Sequence, residues 1–267
     1  MRRVTKNVMT RAFSSQAGGS FHGKREGAIA NLFIENPERK NAMNLSMYDQ
    51  IPGVVDSVVK DGVRVVVLQG AGNDAFGAGS DISEFPHNRH NATEAAKYSA
   101  VENRASESLL SIKPPLLAKI RGPCIGGGLN LALTADIRYA SDDAIFCVPP
   151  AKLGIGYPQE LMDLLLSAVG RSSAKDLVFT ARAIKAEEAL RIGLVDAVVP
   201  GDQLDAYVDK VAEGISRLAP ITVEAAKLSA NRDPRGRQRC SDCYESSDYK
   251  EGVTAFVEKR HATFKGQ

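Results

Sequence analysis

Three consecutive glycines, Gly126-Gly127-Gly128, run directly into Leu129, Leu131, Ala132 and Leu133. A helix that is apolar on every side has to be buried, and glycines at its start let other backbone approach closely. The pattern therefore predicts a short central helix whose first amides, lacking intrahelical acceptors, face a cavity. Arg121-Gly122-Pro123-Cys124-Ile125 leads into it, and a second segment of the same character, Ala75-Phe76-Gly77-Ala78-Gly79-Ser80-Asp81-Ile82, lies upstream. Two such segments, each following a strand, can aim a pair of backbone donors at one carbonyl oxygen and hold the negative charge that develops there. The positive end of the helix would add to this. A glycine run alone is equally well explained by close helix packing.

The rest of the chain alternates strand and helix signals. Val63-Arg64-Val65-Val66-Val67-Leu68 is a nearly continuous apolar run between Gly62 and Gly70, as suits a strand buried on both faces. Residues 28–34 read as a strand through Ile29, Leu32, Phe33 and Ile34, and residues 45–59 have helical spacing despite Pro52 and Gly53. The pattern recurs with strands at 116–120, 137–140 and 144–148 and a helix from about Gly127. This is an α/β chain. From Ser173 onward, Leu177, Val178, Ala186, Ala189 and Leu190 fall on helical faces. The chain beyond about residue 200 reads as helical, with an amphipathic finish over 249–264.

Composition excludes several classes of function. With 267 residues, 43% of them hydrophobic, the chain can bury a large core. Its formal charge is +2, but the first 25 residues carry six bases and no acid, which leaves 28 bases against 32 acids in the rest. A body with a net charge of −4 is a poor nucleic-acid surface, so no nucleic-acid partner is expected. No apolar run approaches the roughly 20 residues that cross a bilayer, and no secretory signal is evident. The acid-free opening, with Arg2, Arg3, Lys6 and Arg11, reads either as an organelle transit peptide or as a plain basic leader. The expected location is accordingly cytoplasmic or the mitochondrial matrix. Cys124, Cys147, Cys240 and Cys243 are too few and too scattered for a disulfide framework, and no metal site is expected from them.

Six stretches in order resemble the crotonase (enoyl-CoA hydratase/isomerase) superfamily from about residue 20 to the end. They are Asn36-Pro37-Glu38-Arg39-Lys40-Asn41-Ala42-Met43-Asn44, Phe76 to Asp81, Gly122 to Asp136, Phe179-Thr180-Ala181-Arg182, Ala186 to Asp196, and Gly252 to Arg260. The resemblance implies a spiral of β-β-α units over 21–200, after a leader over 1–20, with a helical trimerisation region over 201–267. It also implies a homotrimer or dimer of trimers, and an acyl-CoA substrate whose coenzyme A is the sole cofactor. By position, the amides of Ser80 and Gly127 would form an oxyanion hole for the thioester, and the Ala78 carbonyl would meet the adenine. Arg39 and Lys40 would lie near the nucleotide phosphates, with Ala42, Asp81 and Ile82 beside the coenzyme A. Phe256 and Lys259 would reach a neighbouring subunit's ligand.

The pattern breaks where hydratases of this family carry two glutamates that orient and deprotonate water. Those positions hold Asn130 and Pro150. An amide is no useful base near neutrality and proline offers no polar side-chain group, so the acid/base contribution of about 10²- to 10⁴-fold per group is absent at both positions. Tyr157 matches a tyrosine of the superfamily's malonyl-type decarboxylases, which need only an oxyanion hole for the enolate left by carbon dioxide. Some of those enzymes carry histidine where this chain has Ser80. Glu84, Glu160 and Asp163 are candidates for a relocated base. The expectation is an enoyl-CoA hydratase/isomerase-like enzyme stabilising a thioester enolate. The alternatives are a malonyl-type decarboxylase, an acyl-CoA hydrolase, or a non-catalytic acyl-CoA-binding protein.

Overall fold

The computed structural model describes residues 18–267. Residues 1–17, with most of the basic leader, lie outside the described residues. The strands are β1 (Ser20–Glu26), β2 (Ile29–Glu35), β3 (Val65–Gly70), β4 (Leu116–Ile120), β5 (Pro123–Ile125), β6 (Ile137–Ser141), β7 (Ile145–Cys147), β8 (Ile184–Lys185) and β9 (Ala197–Val199). The helices are α1 (Leu45–Val58), α2 (Phe85–Asn88), α3 (Ala92–Leu110), α4 (Gly127–Ala132), α5 (Pro150–Leu153) and α6 (Gln159–Thr180). They continue with α7 (Ala186–Arg191), α8 (Leu204–Ser216), α9 (Pro220–Ala230), α10 (Arg235–Glu245) and α11 (Ser247–Val257).

Why β3 opens with four consecutive apolar residues, Val65 to Leu68, is visible in its two faces. Val66 and Leu68 point into the main core with Leu116, Ala118 and Ile120 of β4, while Val65 and Val67 join Leu117 and Tyr139 in a second core under α8. Side chains alternate along a strand, so a strand covered on both sides needs apolar residues throughout. The larger sheet runs β1-β2-β3-β4-β6-β9, antiparallel only at β1–β2. A smaller sheet, β5-β7-β8, is continued by a parallel bridge from Gly77 to Cys124. Successive turns thus give one strand to each sheet, β4 with β5 and β6 with β7, and the turns stack as a spiral.

Two sequence expectations are revised. Ser20 to Glu26, in which no strand was expected, form β1, because Phe21 is buried and the backbone pairs with β2 along its length. Lys24 and Arg25 therefore lie on an edge strand. The amphipathic finish stops at Val257, and the last residues turn back instead. Buried Asp248 accepts the amides of Lys265 and Gly266 at 2.7 and 2.8 Å, and Arg64 binds the carbonyl of Phe264. Upstream, α6 is broken at Gly170, whose φ of 71° no helix accommodates.

The helical C-terminal region is tied to the sheet by Lys227, which meets Asp136 at 2.8 Å and the Pro114 carbonyl at 3.0 Å. Among the described residues, no helix is long and apolar enough to cross a membrane.

Packing is tight between α4 and the loop after β3. A Cβ on Gly128 would sit 2.4 Å from the Gly77 carbonyl oxygen, whereas one on exposed Gly53 in α1 would meet nothing. Gly128→Ala is expected to lose about 3 kcal/mol through overpacking, and Gly53→Ala to gain about 0.5–1 kcal/mol through helix propensity. Urea denaturation of the two variants measures both.

Candidate active site

The same packing brings two free amides together. Ser80 forms a parallel bridge with Met43, in which Met43 donates to the Gly79 carbonyl and Asp81 donates to the Met43 carbonyl. The Ser80 N–H therefore faces away from that ladder. Gly79, at φ +107°, makes the turn that sets this direction. On the other side, Gly126 (φ 49°, ψ −116°) donates to the Cys147 carbonyl, and Gly127 opens α4, where no intrahelical acceptor exists. A Cβ on Gly127 would lie 3.2 Å from the Ser80 nitrogen, so the two segments touch at this point. Neither amide has a protein acceptor among the described residues. Because α4 spans only six residues, its dipole adds less than the sequence suggests.

The cavity into which they open has a volume of about 100 Å³. Ala78, Ser80, Ile82, Gly127, Asn130, Pro150 and Tyr157 all line it, so the structure brings together all four candidate catalytic residues and two of the coenzyme A candidates. Apolar walls come from Phe85, Leu153, Ile155 and Leu161. Larger surface clefts, of about 440 Å³ beside α1 and α9 and 290 Å³ beside Asp205, lie away from this glycine junction. At one of the two expected glutamate positions Asn130 Oδ1 accepts from the Tyr157 hydroxyl at 2.9 Å, and at the other stands Pro150. Burial pushes the Tyr157 phenol above its ordinary range, so near neutrality it is a neutral donor.

The remaining candidates are dispersed. Arg39 is held by Asp81 at 2.7 Å and by Ser83 at 2.9 Å. Burial alone would raise the Asp81 carboxyl, but hydrogen bonds from Ser83 and the charge and hydrogen bonds of Arg39 hold it below the ordinary range. Lys40 is exposed, with its backbone carbonyl accepting from Ala78 N, and the Ala42 carbonyl accepts from Asn36. Phe256, 86% exposed on α11, and exposed Lys259 just beyond it do not line the cavity.

None of the three candidate relocated bases serves the cavity. Glu84 accepts the Leu45 amide at 2.8 Å at the start of α1, while Glu160 and Asp163 are exposed. The carboxyl that does line it is Glu102 of α3, which sequence reasoning missed. Its Oε1 accepts from Ser80 Oγ at 3.2 Å, and Ser80 Oγ is also 3.2 Å from the Tyr48 hydroxyl. Burial pushes the Glu102 carboxyl up, against the opposing effects of Arg89 and Ser80. A signal was present, since Glu102 falls one turn after Tyr98 and one before Ser106, both buried, which puts a carboxylate on the inward face of α3.

A class of protein follows from this arrangement: an α/β spiral of the crotonase type. The chain belongs to the enoyl-CoA hydratase/isomerase family, whose pattern it matches over residues 24–267. It is 36% identical over 251 residues to a short-chain-enoyl-CoA hydratase of Clostridium acetobutylicum, covering 89% of this chain and 94% of the relative. It is 35% identical over 258 residues to a crotonyl-CoA hydratase of Syntrophomonas wolfei, covering 90% and 96%. A crystal structure of an enoyl-CoA hydratase/carnitine racemase from Magnetospirillum magneticum superimposes with a TM-score of 0.88 at 33% identity, covering 92% and 96% of the two chains.

A carboxyl whose folded pKa is raised is protonated more readily in the folded than in the unfolded state. The stability it contributes is full below the unfolded value near 4.5 and is lost as pH rises through the folded value. Thermal melts of Glu102→Gln and the unmodified protein from pH 5 to 8 are expected to shift in favour of the variant as pH rises.

Proposed function

We propose that this protein binds an acyl-CoA thioester and stabilises its enolate between the amides of Ser80 and Gly127. The observation that carries this reading is the pair of unaccepted amides meeting at one end of an apolar cavity. Two donors aimed at the thioester oxygen bind the oxyanion more strongly than the ground-state carbonyl, and each contributes about 10²- to 10³-fold in rate. Glu102, with its raised affinity for a proton, supplies the carboxyl that removes or returns the α-proton. One carboxyl suffices to relocate a proton, whereas adding water by the family's route takes two. The chemistry is therefore of hydratase/isomerase type with slow hydration. The hydratase names of relatives at 36% and 35% identity support acyl-CoA as the substrate class.

Arg39 and Lys40 are proposed to approach the coenzyme A phosphates, with Asp81 orienting Arg39 through their ion pair. Trimer formation through the C-terminal helices is supported by the exposed Val253, Phe256 and Val257 of α11. Such packing would carry Phe256 and Lys259 towards a neighbouring subunit's ligand.

A second reading, decarboxylation of a malonyl-type thioester, is favoured by the neutral Tyr157–Asn130 pair. Two glutamates would repel a substrate carboxylate at Cα, and this pair does not. Breaking the carbon–carbon bond would leave its electron pair in the same enolate, with a proton then delivered to Cα. Conversion of malonyl-CoA to acetyl-CoA faster than hydration of crotonyl-CoA, and slowed in Tyr157→Phe, is the outcome expected of that reading. Mass spectrometry of the thioesters measures both rates.

Enolate formation is tested by exchange of the α-protons of butyryl-CoA into D2O, which needs no knowledge of the net reaction. A side chain at Gly127 would strike the Tyr48 hydroxyl at 2.1 Å, so the test uses a Tyr48→Phe background. There Gly127→Ala and Gly127→Pro add the same Cβ, and only proline removes the N–H. Exchange is expected to fall about 10²- to 10³-fold from the alanine to the proline variant. No exchange by the unmodified protein, or equal exchange by the two variants, overturns the oxyanion assignment.

A further inference from the structure

Beside the paired amides the cavity contains a cation that nothing in the reaction just described uses. Arg89 follows α2 directly and lines the cavity together with Ser80 and Glu102. Its side chain is only 13% exposed, and its guanidinium lies 4.9 Å from the ring centroid of Phe85 and 4.6 Å from that of Tyr98. The nearest carboxylate oxygen is on Glu102, at 3.8 Å, beyond hydrogen-bond distance. Glu102 instead takes the Ser80 hydroxyl on its other oxygen. Among the described residues, the Arg89 side chain makes no hydrogen bond to a protein acceptor, although a guanidinium carries five donors.

A mostly buried guanidinium normally has its donors satisfied. Here two aromatic rings pack against the guanidinium of a residue that lines the cavity, and a guanidinium with free donors suits a planar anion bound through two parallel hydrogen bonds. The same cluster includes the Tyr98 hydroxyl, a buried polar atom with no partner among the described residues. Phe85, Leu153 and Ile155 line the same cavity and give it apolar walls.

We propose that Arg89 recognises a free carboxylate on the acyl chain, so that the preferred substrates are thioesters of dicarboxylic acids rather than of simple fatty acids. This rests on the acyl-CoA reading above and specifies its substrate class. Arg89 is a specificity residue, held in place by the rings of Phe85 and Tyr98. A surface arginine would choose no substrate, because water would satisfy its donors and screen its charge. In this cavity a fatty acyl chain leaves the donors unpaired, while a carboxylated chain of matching length pairs them.

Isothermal titration with malonyl-, succinyl- and glutaryl-CoA, against butyryl-CoA and coenzyme A alone, tests the inference. At least one carboxylated thioester is expected to bind about tenfold or more tighter than butyryl-CoA, the ratio given by one net charge-assisted hydrogen bond. In Arg89→Leu that ratio is expected to fall to about one, and in Arg89→Lys to recover in part. Equal binding of all acyl thioesters by the unmodified protein overturns the proposal while leaving the acyl-CoA reading intact, and it needs no variant to fold. A carboxylate preference that survives in Arg89→Leu also overturns it, since the recognising cation then lies elsewhere. Failure of butyryl-CoA and every carboxylated thioester to bind overturns the acyl-CoA reading and this proposal together.

Discussion

The contact between Gly77 and Gly128 is the constraint on which the rest of the site depends. Their backbones approach so closely that one added carbon atom at Gly128 would overlap the Gly77 carbonyl oxygen. This approach docks the loop after β3 against the first turn of α4 and sets the Ser80 and Gly127 amides side by side. The two segments are also bonded directly to each other. Ile125 donates to the Gly77 carbonyl at 2.9 Å, and Gly77 donates to that of Pro123 at 3.0 Å. Asn41 holds the beginning of the same loop through the Ala71 and Ala75 carbonyls. The donors are thus fixed by sheet-like hydrogen bonds before any ligand arrives, as electrostatic stabilisation of an oxyanion requires.

Behind the amides lies a polar layer in an otherwise apolar interior. Tyr48, Ser80 and Glu102 form one chain of hydrogen bonds, with the Arg89 charge near its end. Ser80 belongs to both parts: its backbone points to the cavity and its side chain joins the polar chain. A change in the protonation of Glu102 would therefore be felt by Ser80, the residue whose backbone amide opens to the cavity. Across the cavity, Tyr157 and Asn130 are joined by a neutral hydrogen bond, so the two walls differ in charge as well as in shape.

Much of the framework was legible in the sequence because each signal was local. The apolar run at β3, the strand at β4 and the glycine entry to α4 announce themselves through spacing alone. The break in the hydratase pattern at Asn130 and Pro150 was equally plain. What escaped was encoded by contacts distant along the chain. β1 was not read as a strand because only one of its faces is buried, and its partner lies across a turn. Glu102 escaped because an acidic residue in a mostly polar helix resembles solvated surface until α3 is docked beside Ser80. Glu84 looked more promising from its position, yet the Leu45 amide holds it at the start of α1.

The positions of Arg89, Tyr98 and Glu102 in sequence have a consequence for how such a protein can diversify. The two amides proposed to meet the thioester sit on backbone held by bridges to neighbouring segments, where a side chain at Gly127 or Gly128 would strike another atom. The groups proposed to distinguish one acyl chain from another arrive on a single stretch, α2 and α3, which enters and leaves the spiral between β3 and β4. Glu102, proposed above to carry the α-proton, rides on the same stretch, so selectivity and part of the chemistry would be inherited together. Exchange of this one segment between relatives would change the acyl-group filter and the proton carrier at once while leaving the two backbone amides as they were.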